Sequence, residues 1–365
     1  MTEPEVITRV DGFAGHITLN RPRALNALTA DMCVAITDAL LAWQDDAKVG
    51  SVLIDHAGER GFCAGGDIRL VAQSGAGDGA EARRFFASEY RMNELLCRYP
   101  KPVVAVMDGI TMGGGVGISM PARYRVATER TLWAMPEGDI GLFPDVGAGW
   151  YLPRLAGETG TWLALTGARL RAADCLELGI ATHLVQSEQV EALKTSIISV
   201  CPREGGDPSS GHQPLSELMG PRLRGDIRIG DGAAAPITDH LPAIDRLFAH
   251  DTVEEIFAAL GADGSDWALA QHATLARKCP ATLKVALRLV REGARRASFV
   301  EEMRAEYRVA VRMSRRHDFI EGVRALIVDK DNAPRWSPDS LAGVTDQLVD
   351  AIFAELPPGE GWSTI

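Results

Sequence analysis

Two carboxylates share one short loop, Glu137 and Asp145, within Met135-Pro136-Glu137-Gly138-Asp139-Ile140-Gly141-Leu142-Phe143-Pro144-Asp145-Val146-Gly147. Two glycine turns precede them, Cys63-Ala64-Gly65-Gly66-Asp67 and Thr111-Met112-Gly113-Gly114-Gly115-Val116-Gly117. Bare backbone N–H groups at such turns can hold an oxyanion. Carboxylates beside them act as acid, base or nucleophile on the same carbonyl. The combination points to acyl chemistry without a Ser or Cys nucleophile or a metal.

Each member also has a plainer reading. The first turn could be a tight bend needing φ > 0, with Asp67 capping the helix that follows. The second follows a strand and could serve only close packing. It lacks the Lys-Ser/Thr of a P-loop and the G-x-G-x-x-G spacing of a dinucleotide site. Asp139 or Asp145 could cap helices. Glu89 sits mid-helix, where most glutamates are solvated, and Arg23 at a strand end reads as a surface cation. Cys63 lies beside a glycine turn but has no basic partner nearby in sequence. The eight histidines show no ligand spacing, so no metal is expected. No Ser lies in a G-x-S-x-G elbow. Catalysis is argued from the set, with burial beside Met135, Leu142 and Phe143 expected to raise the pKa of Glu137 or Asp145.

The elements that must position these groups are legible in outline. Val6 to Val10 and His16 to Leu19 read as strands around the Asp11-Gly12 turn. A long amphipathic helix follows Thr29, which could cap it. Ser51 to Ile54, Pro102 to Met107, Arg123 to Ala127 and Thr131 to Ala134 read as strands. Ala80 to Arg98 reads as a helix, and further helices follow from Ala148, Thr159 and Ala172. The alternation predicts an α/β fold with crossings too irregular for a simple doubly wound sheet. Residues 202–236 are rich in Gly, Pro, Ser and Asp and read as a loop or linker. Beyond them the pattern is almost wholly helical, with Phe299, Met303, Tyr307, Val311 and Phe319 on one stripe broken near His317. The expected division is a core over 1–200, the linker over 201–236 and a helical region over 237–365.

The chain has 365 residues, 46% apolar and 24% charged, enough for one large domain or two smaller ones. With 38 basic and 49 acidic side chains its net charge of −11 argues against a nucleic-acid partner. Cys33, Cys63, Cys97, Cys175, Cys201 and Cys279 form no C-x-x-C pair and read as free thiols of a reducing compartment. The start has neither a signal-peptide nor a transit-peptide pattern, and the apolar runs are short. A cytoplasmic protein without a membrane span is expected.

The chain resembles the crotonase superfamily of acyl-CoA enzymes through Leu19-Asn20-Arg21-Pro22-Arg23-Ala24-Leu25-Asn26-Ala27-Leu28, Phe62-Cys63-Ala64-Gly65-Gly66-Asp67-Ile68 and Gly113-Gly114-Gly115. Within it, Gly109 to Gly117, Met135-Pro136-Glu137, Ile140 to Gly147, Asp318 to Ala325, Asp329-Lys330-Asp331 and Pro334-Arg335-Trp336 resemble the 3-hydroxyisobutyryl-CoA hydrolase subfamily. The resemblance implies a spiral of ββα turns followed by a helical C-terminal region. It implies an oxyanion hole from the N–H groups of Gly66 and Gly114, and a catalytic pair of Glu137 and Asp145. It also implies acyl contact by Glu89, and a CoA path lined by Arg23, Ala24, Ala64, Asp67 and Ile68. CoA would be part of the substrate, with no separate cofactor. A trimeric or hexameric homo-oligomer is implied too. Enoyl-CoA hydratases resemble this chain but carry glutamate where Gly117 stands and glycine where Asp145 stands. That departure favours thioester hydrolysis over hydration or isomerisation of an enoyl-CoA, and over a catalytically silent acyl-CoA-binding homologue.

Overall fold

The structure is a computed structural model that describes residues 3–199, 215–220 and 236–365. By internal contacts these fall into two compact units that interleave along the chain. One takes Met1–Gly66, Met92–Trp133 and Leu170–Thr238, the other Asp67–Arg91, Ala134–Arg169 and Asp239–Ile365.

The first unit is built on strands β1 (Val6–Asp11), β2 (Ala14–Leu19), β3 (Ser51–His56), β4 (Val103–Met107), β5 (Ile110–Met112), β6 (Tyr124–Ala127), β7 (Leu132–Ala134), β8 (Leu170–Arg171) and β9 (His183–Leu184). Six of them form a sheet in the order β1-β2-β3-β4-β6-β9, and β5-β7-β8 form a second. The β1/β2 hairpin is antiparallel, while β2, β3, β4, β6 and β9 run parallel; in the second sheet β7 and β8 pair antiparallel. β3 and β4 are near-continuous apolar runs buried along their length, as parallel strands covered on both faces must be. The helix Ala30–Gln44 starts where Thr29 Oγ1 accepts from the Met32 N–H at 3.2 Å. It buries Met32, Ile36, Leu40 and Trp43 at helical spacing.

The loop expected over 202–236 lies outside the described residues except at 215–220 and 236. Within it Leu215–Leu218 form one helical turn. Leu215 and Met219 are buried with Leu53, Val104 and Val106.

The second unit is mostly helical. The Phe299–Met313 helix buries the expected stripe and ends before a new helix begins at His317. Ser298 caps it by accepting from the Glu301 N–H at 3.2 Å. The following helix, His317–Val323, lies against the segment that carries Glu137. A Cβ on Gly322 would sit 2.4 Å from the Ile140 carbonyl carbon, and one on Gly141 (φ +71°) 2.4 Å from the Asp318 oxygen. Two backbones therefore touch where only glycine fits on either side. Farther along, Trp362 Nε1 donates to the Ala87 carbonyl at 3.3 Å and Arg91 Nε to the Ser363 carbonyl at 3.1 Å. The last residues are thus fastened to the Ala80–Cys97 helix.

Gly322→Ala is expected to cost about 1–3 kcal/mol through overpacking, read as a lower midpoint in urea unfolding. Gly261→Ala, on an exposed helix face with its nearest neighbour at 4.0 Å, is expected to stabilise by about 0.5–1 kcal/mol.

Candidate active site

In the first unit the two glycine turns lie side by side. The Cys63 N–H donates to the Ile110 carbonyl at 3.0 Å, and the Met112 N–H returns to the Cys63 carbonyl at 2.9 Å. The Leu28 N–H binds the Gly65 carbonyl at 2.8 Å. A Cβ on Gly65 (φ +115°) would come within 3.8 Å of the Gly114 nitrogen, and one on Gly115 would meet the Cys63 oxygen at 2.4 Å. Gly114 opens the short helix Gly114–Ser119, so its N–H has no acceptor within that helix. Gly113 precedes it at φ +48° and ψ −118°, a conformation for which glycine is suited.

Asn26, fully buried, braces this shelf. It accepts from the Arg21 N–H at 2.8 Å and donates to the Gly61 carbonyl at 3.0 Å. Leu25 and Asn26 themselves stand at φ +52° and +56°.

In the second unit, six carboxyl side chains are buried among the described residues: Glu89 at 2% exposure, Glu137 and Asp145 at 5%, and Glu302, Glu306 and Asp318 at 0%. Glu89 comes from the Ala80–Cys97 helix. Glu137 opens a 3-10 turn, Glu137–Ile140, after Pro136. Asp145 precedes Val146 (φ +54°) and Gly147 (φ +92°). A β-branched residue in the left-handed region is strained. Neither Glu137 nor Asp145 caps a helix: the residues before the two helical turns are Pro136 and Gly147, and no side chain bonds there.

Tyr90 Oη donates to Asp145 Oδ2 at 2.7 Å. By contrast, Glu89 Oε1 and Glu137 Oε2 engage no partner among the described residues. Burial, then the charges of Asp145 and Glu137, push Glu89 well above its usual range. Glu137 is likewise raised well above its own, by burial and then by Asp145, with Lys278 opposing. Burial lifts Asp145 to about 7 while the Tyr90 hydrogen bond restrains it. Lys278, itself buried, pairs with Asp139 at 2.7 Å beside the Glu137 turn.

Of the residues singled out from the sequence, Glu89, Glu137 and Asp145 come together through these electrostatic couplings. Asp67 and Ile68 begin the Ile68–Gly75 helix of the same unit, and Asp67 makes no side-chain cap. Arg23, Ala24, Ala64, Gly66 and Gly114 belong to the first unit. Arg23 is exposed on the Pro22–Ala24 turn. Cys63 is buried, with its Sγ 3.6 Å from the Gly65 carbonyl. Reading the sequence missed Tyr90, one residue past Glu89 in the same helix. It also missed Glu302 and Glu306, whose only mark was acidity inside an otherwise apolar stripe. Among the described residues no His, Cys, Asp and Glu group is arranged to hold a metal, and no helix is long and apolar enough to cross a membrane.

A family model described as enoyl-CoA hydratase/isomerase matches residues 14–353. The chain belongs to the enoyl-CoA hydratase/isomerase family. Among its crotonase relatives, a Danio rerio protein named mitochondrial 3-hydroxyisobutyryl-CoA hydrolase is 46% identical over 352 residues, 96% of this chain and 90% of that protein. The Homo sapiens protein of that name is 40% identical over 352 residues, 96% of this chain and 89% of its own. A solved structure described as a carnitinyl-CoA dehydratase from Mycobacterium thermoresistibile superposes with a TM-score of 0.88 at 38% identity, covering 98% of both chains. One described as an enoyl-CoA hydratase from Rhodobacter sphaeroides 2.4.1 gives 0.84 at 37% identity, covering 99% of this chain and 100% of that one. The fold is thus the crotonase fold with a helical C-terminal region.

The raised carboxyls of this crotonase make a stability prediction. Each has a folded pKa above its unfolded one, so its stabilisation is complete below the ordinary carboxylate range and is lost as pH climbs to the folded value. Asp145 contributes its loss between 3.8 and about 7, and Glu89 and Glu137 extend the decline upward. The melting temperature is expected to fall as pH rises from about 4 through about 7, and to keep falling above that. Glu137→Gln removes one of these groups and should melt about 2–4 °C above wild type at the alkaline end. Equal melting curves for both proteins across that range would contradict it.

Proposed function

We propose that this chain hydrolyses the thioester of a short branched 3-hydroxyacyl-CoA, 3-hydroxyisobutyryl-CoA, to 3-hydroxyisobutyrate and CoA. One observation carries the reading: Glu137 is a buried carboxyl with an oxygen that engages no partner among the described residues, raised further by the charge of Asp145, which burial itself lifts to about 7. The charge of Asp145 raises Glu137, so the pair retains a proton into the neutral range. The form that reacts has that proton on Asp145, which leaves Glu137 an ionised, poorly hydrated oxygen and makes Asp145 an acid matched to neutral pH.

In the proposed reaction the N–H groups of Gly66 and Gly114 donate to the thioester oxygen. Glu137 attacks the carbonyl carbon, the C–S bond breaks, and Asp145 gives its proton to the departing thiolate. Asp145 then takes a proton from the water that cleaves the mixed anhydride, which frees the acid and restores Glu137. Alternatively Glu137 takes the proton of a water that attacks directly. Where water attacks the Glu137 carbon of the anhydride, a single turnover in ¹⁸O-water leaves label in the Glu137 carboxyl, which the direct route never does. Glu89 contacts the acyl group, while Arg23, Ala24, Ala64, Asp67 and Ile68 line the CoA path. All of this chemistry uses side chains and backbone of this chain, with CoA carried by the substrate. A homo-oligomer, trimeric or hexameric, and a cytoplasmic location complete the reading; gel filtration and fractionation test them.

Hydration is the competing reaction, since two well-matched solved relatives are described as a dehydratase and a hydratase. Gly117 speaks against it: buried in the Gly114–Ser119 helix, it offers no carboxyl to complete a two-acid addition across a double bond.

Thiol release from 3-hydroxyisobutyryl-CoA is expected to fall roughly 10⁴-fold or more in Glu137→Gln and in Asp145→Asn, with the far-UV circular dichroism spectrum of wild type retained. Loss of enoyl absorbance from crotonyl-CoA without thiol release would replace this reading with hydration. Tyr90→Phe removes the bond that restrains Asp145, so the neutral inflection of the pH–kcat profile should move to higher pH.

A further inference from the structure

Behind Asp145 lies a second acid pair that the proposed reaction does not use. Glu306, on the Phe299–Met313 helix, accepts from the Gly147 N–H at 2.7 Å with one oxygen and from the Gly149 N–H at 3.1 Å with the other. These amides open the short turn Ala148–Tyr151, which has no cap from its own sequence. The carboxylate of a residue 159 positions away therefore does what a local Ser or Asp normally does. Glu302, one turn earlier, holds Arg296 at 2.7 Å, and its other oxygen engages no partner among the described residues. The space is filled: a Cβ on Gly149 would lie 2.1 Å from Glu302 Oε1, and one on Gly147 2.6 Å from the Phe299 ring.

The held segment is the strained one. Val146 at φ +54° and Gly147 at φ +92° follow Asp145 directly, and the Ala148 N–H returns to the Asp145 carbonyl at 2.9 Å. Left-handed backbone at a valine persists only where its surroundings over-determine it. The two bonds to Glu306 supply that determination, and a side chain with one acceptor could not make both.

We propose that Glu306 is a positioning residue for Asp145: it clamps the Gly147 and Gly149 amides and fixes the turn that aims the Asp145 carboxyl. The inference rests on the reading of Asp145 as a reacting group.

The experiment compares wild type, Glu306→Gln, Asp145→Asn and the double variant in thiol release from 3-hydroxyisobutyryl-CoA, with amide hydrogen exchange over 145–149. Glu306→Gln retains one acceptor and is expected to lose roughly 10- to 100-fold in kcat, with KM within about threefold of wild type, and to exchange the Gly147 and Gly149 amides faster. The double variant should be no slower than Asp145→Asn alone, because a residue acting through Asp145 has nothing left to position. Gly149→Ala, which drives a methyl into Glu302, attacks the same clamp from the loop and should also lower kcat more than it raises KM. Wild-type kcat in both Glu306→Gln and Gly149→Ala, or an effect of Glu306→Gln that multiplies with that of Asp145→Asn, would overturn the inference while leaving the hydrolase reading intact. If wild type releases no thiol, the hydrolase reading fails instead. Exchange at 147 and 149 then still decides the clamp: protection unchanged in Glu306→Gln rejects it.

Discussion

The carboxyl groups of Glu89, Glu137, Asp145, Glu302 and Glu306, buried in one helical unit, cannot all be charged, and the rest of the site is arranged around that fact. Taking each from water raises its pKa, and each charge that does form raises its neighbours further. The protein answers with single, specific partners. Tyr90 donates to Asp145, Lys278 and Asp139 pair beside Glu137, Arg296 meets Glu302, and two backbone amides meet Glu306. Among the described residues Glu89 and Glu137 are left with an unengaged oxygen, as are Glu302 and Asp318, so part of the uncompensated valence sits on the groups proposed to meet substrate. That is a cost in stability set where function needs it.

The helical C-terminal region is structural support for this cluster. Gly322 lets the His317–Val323 helix press its backbone onto Ile140, at the end of the Glu137 turn, and Gly141 receives the Asp318 carbonyl. Asp318 in turn accepts from the Ser337 N–H at 2.6 Å. The residues Asp318 to Ala325, which carried part of the family resemblance, thus act by shaping the turn from behind. The same logic applies in the first unit, where Asn26 ties the Leu25–Asn26 bend to Gly61, and so to the glycine turns.

Much of this was legible in the sequence, because the signals were local. The hairpin around Gly12, the Thr29 cap, the buried runs at β3 and β4 and the break before His317 each follow from a few neighbouring residues. The second strand began at Ala14, two residues ahead of the expectation, because strand ends carry little periodic signal. Strands β5, β8 and β9, of two or three residues, are too short to show any. Glu137 and Asp145 could be picked out by their loop and their resemblance. Glu306 could not, since its partners Gly147 and Gly149 are joined to it only by the fold. Tyr90 could not either: a tyrosine beside a glutamate in a helix points to another face, and only the tertiary arrangement shows that it reaches Asp145.

The fastening of Trp362 and Ser363 to Ala87 and Arg91 has a practical side. Those two anchor points flank Glu89 and Tyr90 on a single stretch of helix. A stretch with no regular secondary structure of its own is therefore a clasp over the acid-bearing segment. A fusion partner or label attached near position 363 amounts to a perturbation of the helix that carries Glu89 and Tyr90, however far it stands from them in sequence.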